Sequence, residues 1–309
     1  MNATHNPEHG ALAGRLTIAA EVLPDILHPQ RRRGGFIGFL LGHPKIAIGS
    51  LILALLVLMA LLAPWLGTVD PTAISPGRRT RAPSADHWFG TDMIGRDIYT
   101  RVVYGARVSL TVGFTVAALA SVFGALIGMV AGFLRWVDGP LMRVMDGVMS
   151  IPPILLAVAL MALSSGSVAN VIIAITIAEI PRVCRTVRGT VLSLRELPYV
   201  EAAVTSGTRT PMIIVRHIFP ATLAPMTVQA TYICASAMII EAILSFIGAG
   251  TPPSTPSWGN ILAEGRVLWQ VKPFMIAFPA LFLSVTVLAI NLLGDGLRDI
   301  LDPRAAVKV

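Results

Sequence analysis

The sequence predicts an all-α polytopic membrane protein with six transmembrane helices, and three observations lead there. Hydrophobic residues fill 54% of the 309 positions and charged residues only 13%, against roughly a quarter charged in a soluble domain. Apolar runs of about twenty residues, the length that crosses a hydrocarbon core, recur along the chain. The ten-residue alternating segments of a membrane β-barrel do not occur.

In chain order, residues 1–45 read as a cytoplasmic tail. The first apolar run begins only at Ile46, after Arg31, Arg32 and Arg33, so it reads as an anchor and not a cleavable signal. The six predicted spans are 46–66, 108–133, 143–165, 168–188, 221–247 and 274–296. Residues 67–107 form an external loop, 108–296 a core of five helices with a cytoplasmic loop at 189–220, and 297–309 a cytoplasmic tail. This arrangement places 16 of the 24 Lys and Arg residues inside and 8 outside, in line with the positive-inside rule.

Loop 67–107 is unusually basic for an external segment, with Arg78, Arg79, Arg81, Arg96, Arg101 and Arg107. Within it Ile94, Ile98, Val102 and Val103 recur at helical spacing, which predicts an amphipathic surface helix over 93–106. In the second span Gly124, Gly128 and Gly132 fall four apart on one face, where backbones can approach closely. In the third, Pro152 and Pro153 remove two donors and must bend or break the helix. The break either lines a pathway or is a packing kink.

The residue inventory excludes several chemistries. All six histidines lie outside the predicted spans, and neither HExxH nor G-x-S-x-G occurs, so a membrane-embedded enzyme has no visible catalytic parts. The three lysines, Lys45, Lys272 and Lys308, follow Pro44, Val271 and Val307; none can belong to a phosphate-binding P-loop. The net charge of +7 comes mainly from 21 arginines in loops and no nucleic-acid motif accompanies it. Cys184 and Cys234 read as packing residues. Polar groups within the spans are few: Glu241, Gln229 and Asn291, with Glu179 near an inner end. Together with Pro152 and Pro153, the first three are the candidates for a pathway or gate.

One polar segment interrupts the oily chain. Pro198 suits a first helical turn and Gly207 a stop, and Thr210-Pro211 suits the start of a second short helix ending near Pro220. Two helices of about nine residues are marginal alone and need a surface to pack on. That surface is either a soluble partner or the protein's own membrane domain.

At these residues the sequence resembles the permease subunits of prokaryotic ABC importers. Their cytoplasmic loop has the pattern E-A-A-x3-G-x9-I-x-L-P; Glu201, Ala202, Ala203, Gly207 and Pro220 match in register, while His217 and Phe219 replace Ile and Leu. "HWFGTDMIGRDIYTRVVYGARVSL" (87–110), "LSFIGAGTPPSTPSWGNIL" (244–262) and "NLLGDGLRDILDPR" (291–304) are similar to segments of C-type subunits of the dipeptide, oligopeptide, nickel and glutathione importers. The resemblance covers about 220 residues and implies a type I ABC importer permease fold in the prokaryotic inner membrane. It implies partners: a homologous second permease, two ABC ATPase subunits that bind ATP and Mg, an extracytoplasmic solute-binding protein, and membrane lipid. The chain itself would be no enzyme and hold no cofactor. Residues 198–220 would be the coupling helix, with Gly207 making the sharp turn, Glu201 anchoring the loop, and Ala202 and Ala203 keeping the helix close to its partner. The other reading is a stand-alone ion-coupled secondary transporter or channel, which requires flux without ATPase subunits.

Overall fold

The computed structural model describes residues 42–301 apart from Ser165. The predicted tail 1–45 and the end of the C-terminal tail therefore lie almost wholly outside the described residues. Among the described residues ten α-helices follow one another: α1 Pro44–Leu61, α2 Ile98–Phe133, α3 Arg135–Met149, α4 Pro153–Ala162, α5 Val168–Leu194, α6 Pro198–Thr205, α7 Thr210–Ile213, α8 Phe219–Phe246, α9 Trp258–Gly265 and α10 Phe274–Leu301. A π-turn, Ile214–Ile218, joins α7 to α8. Among the described residues there is no strand, only an isolated bridge between Thr91 and Asp97.

The helix starts are capped as the sequence permits. Asp97 accepts from the Thr100 N–H at 2.8 Å and opens α2; Ser167 opens α5 through the Asn170 N–H; Ser257 opens α9 through the Asn260 N–H. Each side-chain oxygen satisfies a backbone donor that the first turn leaves without a partner.

Helix α2 is the central element. Gly124, Gly128 and Gly132 face Val183, Cys184, Val187 and Val191, so α2 and α5 run parallel. A methyl group at Gly128 would lie 2.6 Å from the Cys184 carbonyl oxygen, which is why the stripe must be glycine: the backbones touch. Helix α8 runs antiparallel to α2, with Gly113 against Met238 and Ser109 against Glu241, while Gly105 meets Trp258 at the start of α9. Helix α10 is antiparallel to α8 through Gly294 and Thr231, and α1 antiparallel to α10 through Gly49 and Ala289. One end of the bundle thus carries residues 62–97, the turn near 166 and residues 247–273. The opposite end carries α3, α6 and the start of α7.

Several predicted boundaries change. Among the described residues, four helical stretches are long and apolar enough to cross a membrane: α1, α2, the continuous Thr210–Phe246, and α10. The third predicted span, 143–165, is two helices, α3 and α4, meeting at 85°. Pro152 is extended there (φ −53°, ψ 133°) and Pro153 starts α4, so the two prolines break the helix outright. Counting α3 and α4 as one bent span gives five. Helix α5 is long enough to be a sixth, but it carries Glu179, Arg182, Arg185 and Arg188. A count of six apolar spans is therefore not established.

The predicted surface helix 93–106 is also replaced. Residues 98–106 are the first turns of α2, and Ile98, Val102, Val103 and Ala106 are buried. Their apolar stripe packs on protein, including Trp258, whose indole Nε1 donates to the Val102 carbonyl at 3.0 Å. Periodicity shows that a face leaves water, not whether it enters lipid or protein.

Candidate functional site

The segment 195–220 stands at one bundle end. Arg195 caps it onto the scaffold: Nη1 donates to the Gly132 carbonyl at 3.0 Å and Nε to Glu196 at 3.1 Å. That carbonyl belongs to the last turn of α2, where acceptors lack helical partners and a cation is favoured. Pro198 then starts α6, and Val200 turns inward and is buried. Ala203 packs behind it against the core.

Helix α6 ends in a Schellman motif. The Gly207 N–H donates to Val204 and the Thr208 N–H to Ala203, at 3.0 and 3.1 Å, with Gly207 at φ +75°. That left-handed geometry is the turn the sequence predicts for this glycine. Glu201, Ala202 and Gly207 are exposed, as are Tyr199, Val204, Met212 and Val215. Glu201 makes no side-chain hydrogen bond or ion pair among the described residues, so it does not anchor the loop within them. It lines a cleft of 440 Å³ with Phe133, Arg135, Arg195 and Val200.

The second half of the segment differs from the prediction. Arg209, not Thr210, is the N-cap of α7. The helix does not stop at Pro220; it runs through the π-turn into α8, with Pro220 in the first turn of α8. Proline lacks a donor and crowds the carbonyl four residues back. The wider turn accommodates this: the Phe219 N–H donates five residues back, to Ile214.

Helix α3 lies beside this segment and is clasped to α5. Arg188 donates from Nε and Nη2 to the two oxygens of Asp138, the second at 2.7 Å, and Arg185 reaches Asp146 at 2.6 Å. The sequence signal was two aspartates eight apart on one helical face.

The pathway candidates sit on different elements of the fold. Pro152 and Pro153 form the α3–α4 break. Glu241 is 0% exposed and accepts from Ser245 Oγ at 2.9 Å and Ser109 Oγ at 3.4 Å; it joins α8 to α2. Asn291 is half-buried on α10. Gln229 faces a cleft of 370 Å³ between α5, α8 and α10.

Sequence inspection missed a buried ion cluster at the other bundle end. Asp92 Oδ2 accepts from Arg96 Nε at 2.6 Å and Arg101 Nη1 at 2.8 Å. Both arginines also bind Glu264. Burial opposes the charge on Arg96, but the bonds to Asp92 and the charge of Glu264 outweigh it and raise its pKa. Glu264 is the one acid in residues 248–273, a signal that could have pointed to this pairing. Beside the cluster His87 Nδ1 meets Asp97 at 3.0 Å.

Residues 120–307 match the family described as binding-protein-dependent transport system inner membrane components. The chain is 52% identical over 85% of its length to a probable peptide ABC transporter permease protein of Sinorhizobium fredii, covering 90% of that protein. It is 43% identical over 84% of its length to the dipeptide transport system permease protein DppC of Alkalihalophilus pseudofirmus, covering 86% of it. With the glutathione transport system permease protein GsiD of Pectobacterium atrosepticum it shares 38% over 86% of its length and 89% of the relative. Among solved structures, the fold is similar to a chain of the inward-facing MetNI methionine ABC transporter. The TM-score is 0.54 at 18% identity, over 66% of this chain and 98% of that one.

Proposed function

The chain belongs to the family of inner-membrane components of binding-protein-dependent transport systems, and from that premise we propose that it is the permease subunit of an ATP-driven ABC importer. It forms half of a translocation pathway for dipeptides, oligopeptides or similar small solutes; the relatives named for peptide, dipeptide and glutathione transport support that cargo class. ATP and Mg are bound by two partner ATPase subunits and not by this chain. A homologous second permease completes the pathway, and an extracytoplasmic solute-binding protein delivers cargo.

The observation that carries this reading is the exposed helix α6, with Tyr199, Ala202 and Val204 outward and Glu201 without a partner among the described residues. An eight-residue helix that presents apolar side chains and such a carboxylate is suited to a groove on a soluble subunit. We place this end of the bundle in the cytoplasm. Both the start of α1 and the end of α10 lie there, joined by Lys45 and Asp299 at 2.8 Å, which supports cytoplasmic termini. The basic loop 67–107 is compatible with the outer side: Asp92 and Glu264 neutralise Arg96 and Arg101, and Arg107 caps the carbonyls of Ala60 and Leu61.

Coupling follows from the continuity of Thr210–Phe246. Closure of the ATPases displaces α6 and α7, and the helix carries that displacement along α8 to the opposite end. Different nucleotide states bind different positions of α6 and so shift the equilibrium between inward- and outward-facing forms. Affinity purification from native membranes with mass spectrometry tests the assembly: the ATPases, second permease and binding protein should co-purify. Solute flux through the isolated chain in liposomes, with no ATPase bound, would overturn it.

A further inference from the structure

Arg182 lies on α5, twelve residues before its end at Leu194, about 18 Å along the axis at 1.5 Å per residue. Its side chain is 44% exposed on the surface of this chain. The guanidinium does not reach toward the nearby bundle end. It turns back along the helix, the direction in which helical side chains tilt, and Nη1 stands 3.1 Å from Glu179 Oε2. Glu179 is 1% exposed, and its other oxygen accepts from Ser236 on α8 at 3.0 Å. The pair is held deep in the bundle with one flank of the guanidinium open.

Charges at membrane depth face the interior of an assembly or a water-filled cavity, because lipid cannot solvate them. The surroundings of Arg182 agree. One turn further on, Thr186 opens onto the 370 Å³ cleft also lined by Gln229, Tyr232 and Arg298. Helix α1, by contrast, exposes Leu51, Leu55 and Leu58, a surface made for lipid.

We propose that the flank of α5, α8 and α10 bearing Arg182, Thr186 and Gln229 lines the translocation pathway, and that Arg182, oriented by Glu179, binds the carboxylate of a peptide cargo. The inference rests on the importer reading above. Nη1 is held beside Glu179 by the ion pair alone, and the exposed side of the guanidinium can receive a carboxylate through two parallel hydrogen bonds.

Cysteine labelling of the assembled transporter in inside-out vesicles tests both parts. A membrane-impermeant maleimide should modify Thr186→Cys and Gln229→Cys but not Leu55→Cys; the native Cys184 and Cys234 are buried. Failure of the first two to react in every nucleotide state would overturn the pathway assignment. Alanyl-alanine should slow labelling of Gln229→Cys, and its C-terminal amide should not. Arg182→Gln should abolish that protection, and Arg182→Lys, which keeps charge but loses the fork, should retain part of it. Equal protection by acid and amide, or protection unchanged in Arg182→Gln, would overturn the carboxylate site. Cysteine variants that label as expected, alongside a wild-type transporter that takes up no peptide, would instead refute the cargo class.

Discussion

Arg101 and Glu264, 163 residues apart, meet as a bidentate pair: Nη2 donates to Oε1 at 3.0 Å while Nη1 is shared between Oε2 and Asp92. Arg101 is 1% exposed, so its removal takes a buried counter-charge away from two carboxylates. Arg101→Ala should destabilise the subunit by about 3–5 kcal/mol. Arg101→Lys should recover little, since an ammonium cannot bridge both carboxylates in the same plane. Thermal unfolding of the detergent-solubilised complex measures this, and an unchanged midpoint for Arg101→Ala would contradict a structural role.

Gly128 presses on the backbone of Cys184, whereas a methyl group added at Gly147 on α3 would meet nothing within 4 Å. Gly128→Val should therefore cost about 1–3 kcal/mol through overpacking, and Gly147→Ala should be nearly silent. Membrane abundance and unfolding midpoints of the two variants distinguish them; equal losses would mean that α2 and α5 do not touch as described.

Gly207 has φ +75° and open space around it, so any substitution acts through the backbone alone. Gly207→Val should strain the turn by about 1–2 kcal/mol and tilt α6 off its docking angle. Uptake should fall sharply while the chain still inserts normally. Full transport by this variant would remove the turn from the coupling mechanism.

Glu201 has no side-chain partner among the described residues, so Glu201→Ala should shift stability by no more than about 0.5 kcal/mol. Uptake and substrate-stimulated ATP hydrolysis by the assembled transporter should nevertheless be lost. If uptake in the variant matches wild type, Glu201 contributes nothing to the ATPase contact.

The segment proposed for coupling was legible because its signals are local. Gly207 stops a helix through its own backbone freedom, and Pro198 starts one through its fixed φ. Pro220 misled for the same reason: a proline ordinarily ends a helix, but five residues in π geometry let this one pass through. The glycine stripe on α2 was legible in its spacing, while its partner, α5, was not. Glu241 illustrates the converse limit. Its position in an apolar run marks it as unusual, yet only the packing reveals that Ser109 and Ser245 enclose it.

Composition and the length of the apolar runs by themselves determined that this is a multi-pass helical membrane protein, and the spacing from Glu201 to Gly207 and Pro220 singled out one polar segment within it. The tertiary structure alone decided what each apolar face meets, which arginines are neutralised, and that the prolines at 152–153 turn the chain through 85°. The division has a physical cause. Hydrophobicity and backbone restriction act within a few residues and so are written in the local sequence. Charge pairing and close packing depend largely on neighbours brought together from distant parts of the chain, 50 positions away for Asp138 and Arg188 and 163 for Arg101 and Glu264.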